Sequence, residues 1–501
     1  MGQMSQYINV IAKEAEHKFK GLVLGYFQNV KDQVKSATLL GGAQQIDDKL
    51  NGHLSKHLKN SLANGNFGEL RLLTNESTEY PPQIVLVGLG PLQKEEWKMK
   101  DCVRRAAALG IKTLKANGVK HVQIEPMGFP MAAGEGAGLG NYSYEHFKLK
   151  KSETACEIFI EPLTAIESEV QGFHKGRIYA DAQNFARTLS ESPANIITPA
   201  LFCKEAITFL AKYPKIEVTE HKKEFLQAHK MKLLLSVNAG SAQEPRMLEL
   251  RFNNAPEKQP TVYVGKGITF DSGGISLKPP AGMEAMKADK TGACTIVGAF
   301  SAIAALNLPV NVVGILPLCE NMPSGSATKP GDVIVGMNGK SVEINNTDAE
   351  GRLILADALT YAQTLNPHTI VDLATLTGAM MIALGGAACG VFSSSDELYS
   401  QIEASGKSVG ELTWRMPLWD EYREGLNSVV ADFKNTGPRQ GGACSAAIFL
   451  KEFVDTDKVK WAHMDIAGTM DSSHQKELYP ANMMTGRPTR LLIELAMSLN
   501  K

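Results

Sequence analysis

The sequence predicts an α/β protein of two domains, an N-terminal α/β domain and a larger C-terminal α/β domain whose central, mostly parallel sheet is covered by helices. Two observations support this. Short apolar runs alternate with helix-period segments along most of the chain. In the C-terminal part those runs are apolar throughout, the pattern of strands buried on both faces. At 501 residues the chain can hold two or three ordinary cores.

The elements follow in order. Residues 21–27 and 83–88 read as buried strands, 95–117 as a helix capped by Gly118, and 121–125 and 157–161 as further strands. Glycine-rich 127–140 reads as a mobile loop, because it lacks the Gly-Lys-Ser/Thr ending of a phosphate loop. Residues 163–176 read as a linker, which sets the domains at 1–170 and 171–501, and a helix follows through Ser190. Beyond it, strands are expected at 247–252, 261–265, 310–317, 369–373 and 390–392, with helices at 292–305 and 350–365. Ligands of such sheets bind beyond the strand ends.

Composition narrows the class. An apolar fraction of 44% and a charged fraction of 21% are those of a soluble globular protein. A net charge of −1 gives no global drive toward nucleic acid or anionic membranes. The seven cysteines are scattered and never form Cys-x-x-Cys, which reads as reduced thiols and a cytoplasmic location. Residues 1–6 show no secretory pattern, and Gly2 lacks the Ser or Thr at position 6 that myristoylation prefers. No stretch approaches the roughly 18 apolar residues of a membrane span.

The richest chemistry lies in Asn346-Thr347-Asp348-Ala349-Glu350-Gly351-Arg352-Leu353, after a strand-like run at 340–344. In an extended backbone alternate side chains share a side, so Asp348, Glu350 and Arg352 are expected to converge. Carboxylates that close repel unless a cation lies between them. A second cluster runs from Val264 to Lys278, where a strand enters a glycine-rich loop presenting Lys266, Asp271 and Lys278. Asp289 follows at an expected helix start. Oxygen-rich sets of this kind suit Mg, Mn, Co or Zn. Four acids exceed the needs of one catalytic zinc, which favours two adjacent ions.

Together these stretches resemble the signature of the cytosol (leucyl) aminopeptidases, a family of dinuclear metallopeptidases. Lys266, Asp271, Lys278, Asp289, Asp348, Glu350 and Arg352 fall in the family's order and spacing, and weaker similarity extends from Glu191 to Pro488. The resemblance implies removal of leucine-like N-terminal residues from peptides, with 171–501 carrying the chemistry and 1–170 serving assembly or regulation. It implies one ion on Lys266, Asp271, Asp289 and Glu350 and another on Asp271, Asp348 and Glu350, Zn or Mn foremost, with Co or Mg as alternatives. Lys278 would then face the scissile carbonyl, and Arg352 would hold bicarbonate as a proton shuttle. Thr375, Leu376, Gly378, Ala467 and Met470 resemble the substrate-contacting loops, with Met286 and Met470 as walls of an apolar pocket. A homo-hexamer is implied as well. The chain departs from its relatives at Lys290 and Thr291, where they often carry Met then a small residue, and at Thr469, where many have Pro. Lys290 adds a positive charge beside an expected ligand.

Singly, each acid could be a helix cap or turn residue, and only the set points to metal; Lys278 and Arg352 have no structural need to lie beside the acids, so functional cations are favoured over salt-bridge partners. Lys266 as a ligand rests on the resemblance, because its amine must lose a proton from a pKa of ~10.4. His463 and Asp465, two apart, read as hydrogen-bonded strand residues, as does Asp372. No histidine falls in either motif, which disfavours histidine-based zinc sites and a Ser-His-Asp triad. Two other classes remain open. A nucleic-acid-binding role finds only short basic stretches at 98–105 and 148–151. A two-metal phosphoesterase is opposed by the lysine ligand and the methionine pocket.

Overall fold

The computed structural model describes residues 19–499 except 32, 77–79, 153–156 and 472–473. The readings of residues 1–6 and of Cys156 lie outside the described residues. The chain divides into two compact units, one running to Asp181 with Glu477–Tyr479, the other comprising Ala182–Lys476 and Pro480–Lys501.

The first unit is built on a six-stranded sheet. Its strands are β1 (Gly21–Lys31), β2 (Val34–Thr38), β3 (Leu70–Thr74), β4 (Gln83–Gly88), β5 (His121–Ile124) and β6 (Phe159–Pro162), in the order β3-β4-β1-β5-β6 with β2 paired to β1. The expected strands are thus present as β1, β4, β5 and β6. The helix Glu96–Ala116 ends at Gly118, whose φ of 75° is the left-handed conformation that closes many helices.

The glycine-rich segment departs from expectation. It forms a helix, Pro130–Asn141, started by a proline at its first turn and buried from Ala132 onward. Its glycines serve close packing rather than mobility. A Cβ on Gly136 would lie 1.9 Å from the Arg104 carbonyl oxygen of the neighbouring helix, and one on Gly134 would lie 2.1 Å from that of Phe173. The same contact buries an ion pair, Arg104 Nε to Glu135 Oε2 at 2.5 Å. The expected linker is also partly helical: Glu167–Glu191 is one helix, with Glu167 and Glu169 in its first turn, where the dipole favours acids.

The second unit holds a nine-stranded mixed sheet. It contains β7 (Ile216–His221), β8 (Arg246–Asn253), β9 (Thr261–Gly265), β10 (Gly267–Asp271), β11 (Asn311–Asn321), β14 (Thr369–Ala374), β15 (Cys389–Ser393), β16 (Thr413–Arg415) and β18 (Lys460–Asp465). The order is β16-β15-β18-β14-β9-β11-β8-β7, with β10 beside β11. β18, β14, β9 and β11 run parallel, whereas β7, β8 and β15 join antiparallel. A small sheet of β12 (Asp332–Val335), β13 (Ser341–Ile344) and β17 (Phe433–Lys434) completes the strands.

Helices cover both faces of the large sheet, and β9 shows how. Val262 and Val264 share a core with Leu355, Leu359 and Trp461, and so face the helix Glu350–Gln363. Tyr263, pointing the other way, donates its hydroxyl to the Leu492 carbonyl in the helix Thr489–Leu499. Three neighbouring parallel strands, β9, β14 and β18, end at Gly265, Ala374 and Asp465. Among the described residues, no helix is long and apolar enough to cross a membrane.

Gly136→Ala tests the helix contact. The added methyl meets backbone rather than a flexible side chain, so we expect a loss of about 1–3 kcal/mol in chemical denaturation. An unchanged midpoint would mean that the two helices are not tightly apposed.

Candidate metal centre at the strand ends

The two sequence motifs meet beyond the carboxyl ends of the parallel strands. Lys266 directly follows β9 and Asp271 closes β10. The chain then turns through Gly273 and Gly274, both at positive φ (87° and 67°). A Cβ on Gly273 would lie 2.7 Å from Asp348 Oδ1, so the loop approaches that carboxylate only because glycine stands there. Thr347 ties the two motifs together: its hydroxyl donates to the Gly273 carbonyl at 2.6 Å and accepts the Ser276 N–H at 2.8 Å.

The extended reading of 348–352 does not hold. Asp348 lies in a turn, and Glu350 is the first residue of the helix Glu350–Gln363, where the dipole favours its charge. The convergence comes instead from tertiary folding. Asp271, Asp348 and Glu350 bring carboxylate oxygens within 4.8 Å of one another. Asp289 joins through a shared lysine: Lys266 Nζ lies 2.8 Å from Asp289 Oδ1 and 2.8 Å from Glu350 Oε1, and donates to the Thr375 carbonyl at 3.0 Å. Asp289 itself ends a 3₁₀ turn, Met283–Ala288, just ahead of the helix Thr291–Ala305. Lys278 Nζ bridges Asp271 Oδ2 at 2.8 Å and Asp348 Oδ1 at 2.5 Å.

Crowding and burial govern the ionisation of these groups. Burial, reinforced by the Glu350 charge, pushes Asp271 up to about 6 against the pull of Lys278 and Lys266. Burial also raises Asp289 well above the carboxylate range, against Lys266. Asp348 is raised by burial, against its bond to Lys278. Glu350 goes the other way: burial would raise it, but Lys266 and Lys278 together hold it below its usual value. Both lysines are desolvated, yet the surrounding acids keep their ammonium forms firmly protonated. The centre therefore carries more negative charge than its own cations comfortably balance. Asp289 Oδ2 is buried without a hydrogen-bond partner among the described residues.

Arg352 points into a different part of the site. Its Nη1 donates to the Asn435 carbonyl at 2.7 Å, and its Nε has no hydrogen-bond partner among the described residues. Burial lowers its pKa to about 10, against the charges of Glu350 and Asp465. Of the residues expected at the substrate loops, Thr375 bonds directly to the cluster. Thr375 and Leu376 follow β14, and Gly378 opens the helix Gly378–Leu384. Ala467 lies one residue past Ile466 after β18, Met470 is buried, and Met286 is half-buried in the 3₁₀ turn ahead of Asp289.

Lys290 aims its ammonium away from the acids, although the Asp289 charge still reaches it. Its side chain is fully buried, and its ammonium donates to the carbonyls of Ser192 and Lys287. Asp372 and His463 are structural partners in the strands, His463 Nδ1 lying 2.6 Å from Asp372 Oδ1, while Asp372 Oδ2 accepts the Trp461 indole N–H at 2.8 Å. Sequence reasoning missed Asn321, the last residue of β11, whose amide donates to Asp271 Oδ1 at 2.8 Å and to the Thr347 carbonyl at 3.0 Å. It also missed Asn435, which accepts from Arg352 through its backbone and donates to the Asn346 carbonyl at 2.7 Å. Neither lies in a motif that flags it.

A doubly covered α/β sheet with buried acids, lysines and an arginine at its strand ends defines a class of acid-rich hydrolase centres. The comparisons identify the family. The catalytic-domain profile of the cytosol aminopeptidase family matches residues 184–493, and its N-terminal-domain profile matches 23–151. The chain belongs to the cytosol aminopeptidase family, and it is a peptidase. It is 42% identical over 494 residues to the cytosol aminopeptidase of Xenopus tropicalis, covering 96% of this chain and 93% of that protein. It is 43% identical over 491 residues to that of Dictyostelium discoideum, covering 95% and 92%. A mutant of tomato leucine aminopeptidase superposes with a TM-score of 0.82 at 31% identity, covering 97% of this chain and 94% of that one. The bottromycin maturation enzyme BotP in complex with Mn gives 0.82 at 30% identity, covering 97% and 100%.

Asn321→Ala should loosen Asp271 and Thr347 together without removing a carboxylate. We expect divalent-metal affinity to fall about 10- to 100-fold, as for other lost outer-sphere partners. Calorimetric titration with Mn reads the change; an unaltered affinity would show that Asp271 needs no such support.

Proposed function

We propose that the protein is a leucyl-type aminopeptidase that hydrolyses the first peptide bond of its substrates with two divalent ions held at this centre. The observation that carries the reading is the gathering of Asp271, Asp348 and Glu350 within 4.8 Å, beside two lysines. The donor set fits such ions: oxygen-rich, largely buried, short of positive charge, and including a buried Asp289 oxygen with no hydrogen-bond partner among the described residues. Lys266, Asp271, Asp289 and Glu350 would hold one ion, Lys266 only as the neutral amine that two adjacent dications favour over the ammonium, and Asp271, Asp348 and Glu350 the other, Zn or Mn foremost and Co or Mg next. Bound there, such ions activate water and polarise a carbonyl.

The chain's own groups supply the rest. The peptide's free α-amine would bind one of the ions, a donor that internal bonds do not offer. Lys278 is partly exposed and holds its ammonium at the mouth of the acid cluster, where it can donate to the oxyanion that develops on the scissile carbonyl. Arg352 has guanidinium donors left over after its bond to Asn435, and holds a small anion such as bicarbonate that takes and returns a proton. Met286, Thr375, Leu376, Gly378, Ala467 and Met470 surround the first side chain, and methionine adapts to several apolar shapes. The proposal extends to a cytoplasmic homo-hexamer in which residues 1–170 serve assembly or regulation and 171–501 catalyse.

Metal analysis of the purified protein, with activity on leucine p-nitroanilide before chelation, after it, and after return of Zn, Mn or Co, tests this reading. Full cleavage by rigorously metal-free protein would refute it, and preferential cleavage of p-nitrophenyl phosphate would favour a phosphoesterase. Glu350→Ala should lose turnover and bound metal together. Lys278→Ala should keep its metal yet drop kcat by about 10²–10³, as for other lost oxyanion donors. A fall in metal content in that variant would reassign Lys278 to metal binding.

A further inference from the structure

Asp465 is the last residue of β18, fully buried, and absent from both motifs. Its carboxylate gathers three donors from two loops. Oδ1 accepts the Leu376 N–H at 3.2 Å and the Ala467 N–H at 3.2 Å, and Oδ2 accepts the Thr377 hydroxyl at 2.6 Å. The Thr377 oxygen also accepts the Met380 N–H at 3.1 Å and so caps the helix Gly378–Leu384. One side chain therefore fastens the loop after β14 to the loop after β18.

The first of those loops reaches the acid cluster through Thr375. Its carbonyl accepts from Lys266 at 3.0 Å, and its hydroxyl donates to Asp289 Oδ1 at 2.6 Å. The loop immediately beyond, Leu376 to Gly378, and the second loop, Ala467 to Met470, carry the residues assigned above to the substrate's first side chain. Displacing one loop against the other would change both the setting of Lys266 and Asp289 and the width of the pocket.

We propose that Asp465 is a positioning residue that couples the acid cluster to the first-residue pocket by clamping these loops together. The inference rests on the reading of the site given above. The clamp works through acceptor geometry, since two of its three bonds go to backbone N–H groups at fixed positions. An asparagine, whose carbonyl oxygen can still accept both, retains most of the function, whereas alanine leaves the partly buried N–H of Leu376 and the buried N–H of Ala467 without their acceptor.

The test uses the full-length protein loaded with Mn, with kcat and KM measured on leucine and alanine p-nitroanilides. Asp465→Ala should lower kcat on the leucine substrate about 10²-fold, the scale of an ångström of misplacement at a reacting centre. It should also shrink the leucine-over-alanine preference, while Asp465→Asn restores most of both. Thr377→Val, which keeps the carboxylate and removes one donor, should give roughly a tenfold loss with the same narrowing of preference, and Thr377→Ser should behave as wild type. If Asp465→Ala does not fold, the Thr377 pair decides. An unchanged preference in both Asp465→Ala and Thr377→Val, whatever happens to melting temperature, overturns the coupling and leaves a merely structural aspartate. Equal losses in Asp465→Ala and Asp465→Asn also overturn it, because charge rather than geometry would then matter. A wild-type protein inert toward leucine p-nitroanilide would bring down the reading of the site, and the coupling with it, before any variant is made.

Discussion

Like charges forced together out of water constrain the catalytic unit more than any other interaction. Asp271, Asp289 and Glu350 are almost completely buried, and Asp348 lies partly so beside them. Two lysine ammoniums, each wedged between two carboxylates, hold the cluster together at 2.5–2.8 Å. Isolated buried charge is prohibitively costly, and pairing offsets only part of the cost. The opposite directions in which burial and neighbours move Glu350 and Asp289 record that compromise.

Such a cluster stays in place only if the backbone around it is rigid. The parallel strands provide the base, and short side-chain bonds provide the bracing. Thr347, Asn321 and Asn435 each hold a loop carbonyl or carboxylate in the two motifs. Gly351 allows the remaining approach: a Cβ there would lie 2.6 Å from Lys266 Cε, so any larger residue would push the lysine off its bonds to Asp289 and Glu350. These are local bonds with a collective result, the placing of four acids from three separate segments.

Much of this was legible in the sequence, because the functional groups are concentrated in two compact stretches. The buried strands were also readable, since apolar runs such as Val262–Val264 have no alternative use, whereas β2, β3, β7 and β16 went unread and residues 267–271, read as loop, form β10. What could not be read is tertiary. Glycines 134, 136, 138 and 140 suggest a loop by local preference, yet helix-to-helix contact overrides that preference and makes them a packing surface. The motif around Glu350 looked extended, but the helix starts there, and its two acids meet Asp271 through the fold instead of through spacing. Asn321 and Asp465 carried no local mark, because the partners that give them a role are distant in sequence: Asn321 lies 50 positions from Asp271, and Asp465 lies 88 from Thr377. Lys290 looked like an added charge in the centre, and only the structure shows its amine taken up by the Ser192 and Lys287 carbonyls.

The roots of three of the working loops are the ends of β9, β14 and β18, adjacent rungs of one hydrogen-bonded ladder. Neighbouring strands in any sheet stand about 4.8 Å apart, so the origins of these loops are set by the ladder and not by what the loops contain. Each loop can therefore be rewritten without moving the starting point of the next. Sequence change beyond the strand ends therefore leaves the footing of the site where it was, and its cost falls on the bonds that tie one loop to the next.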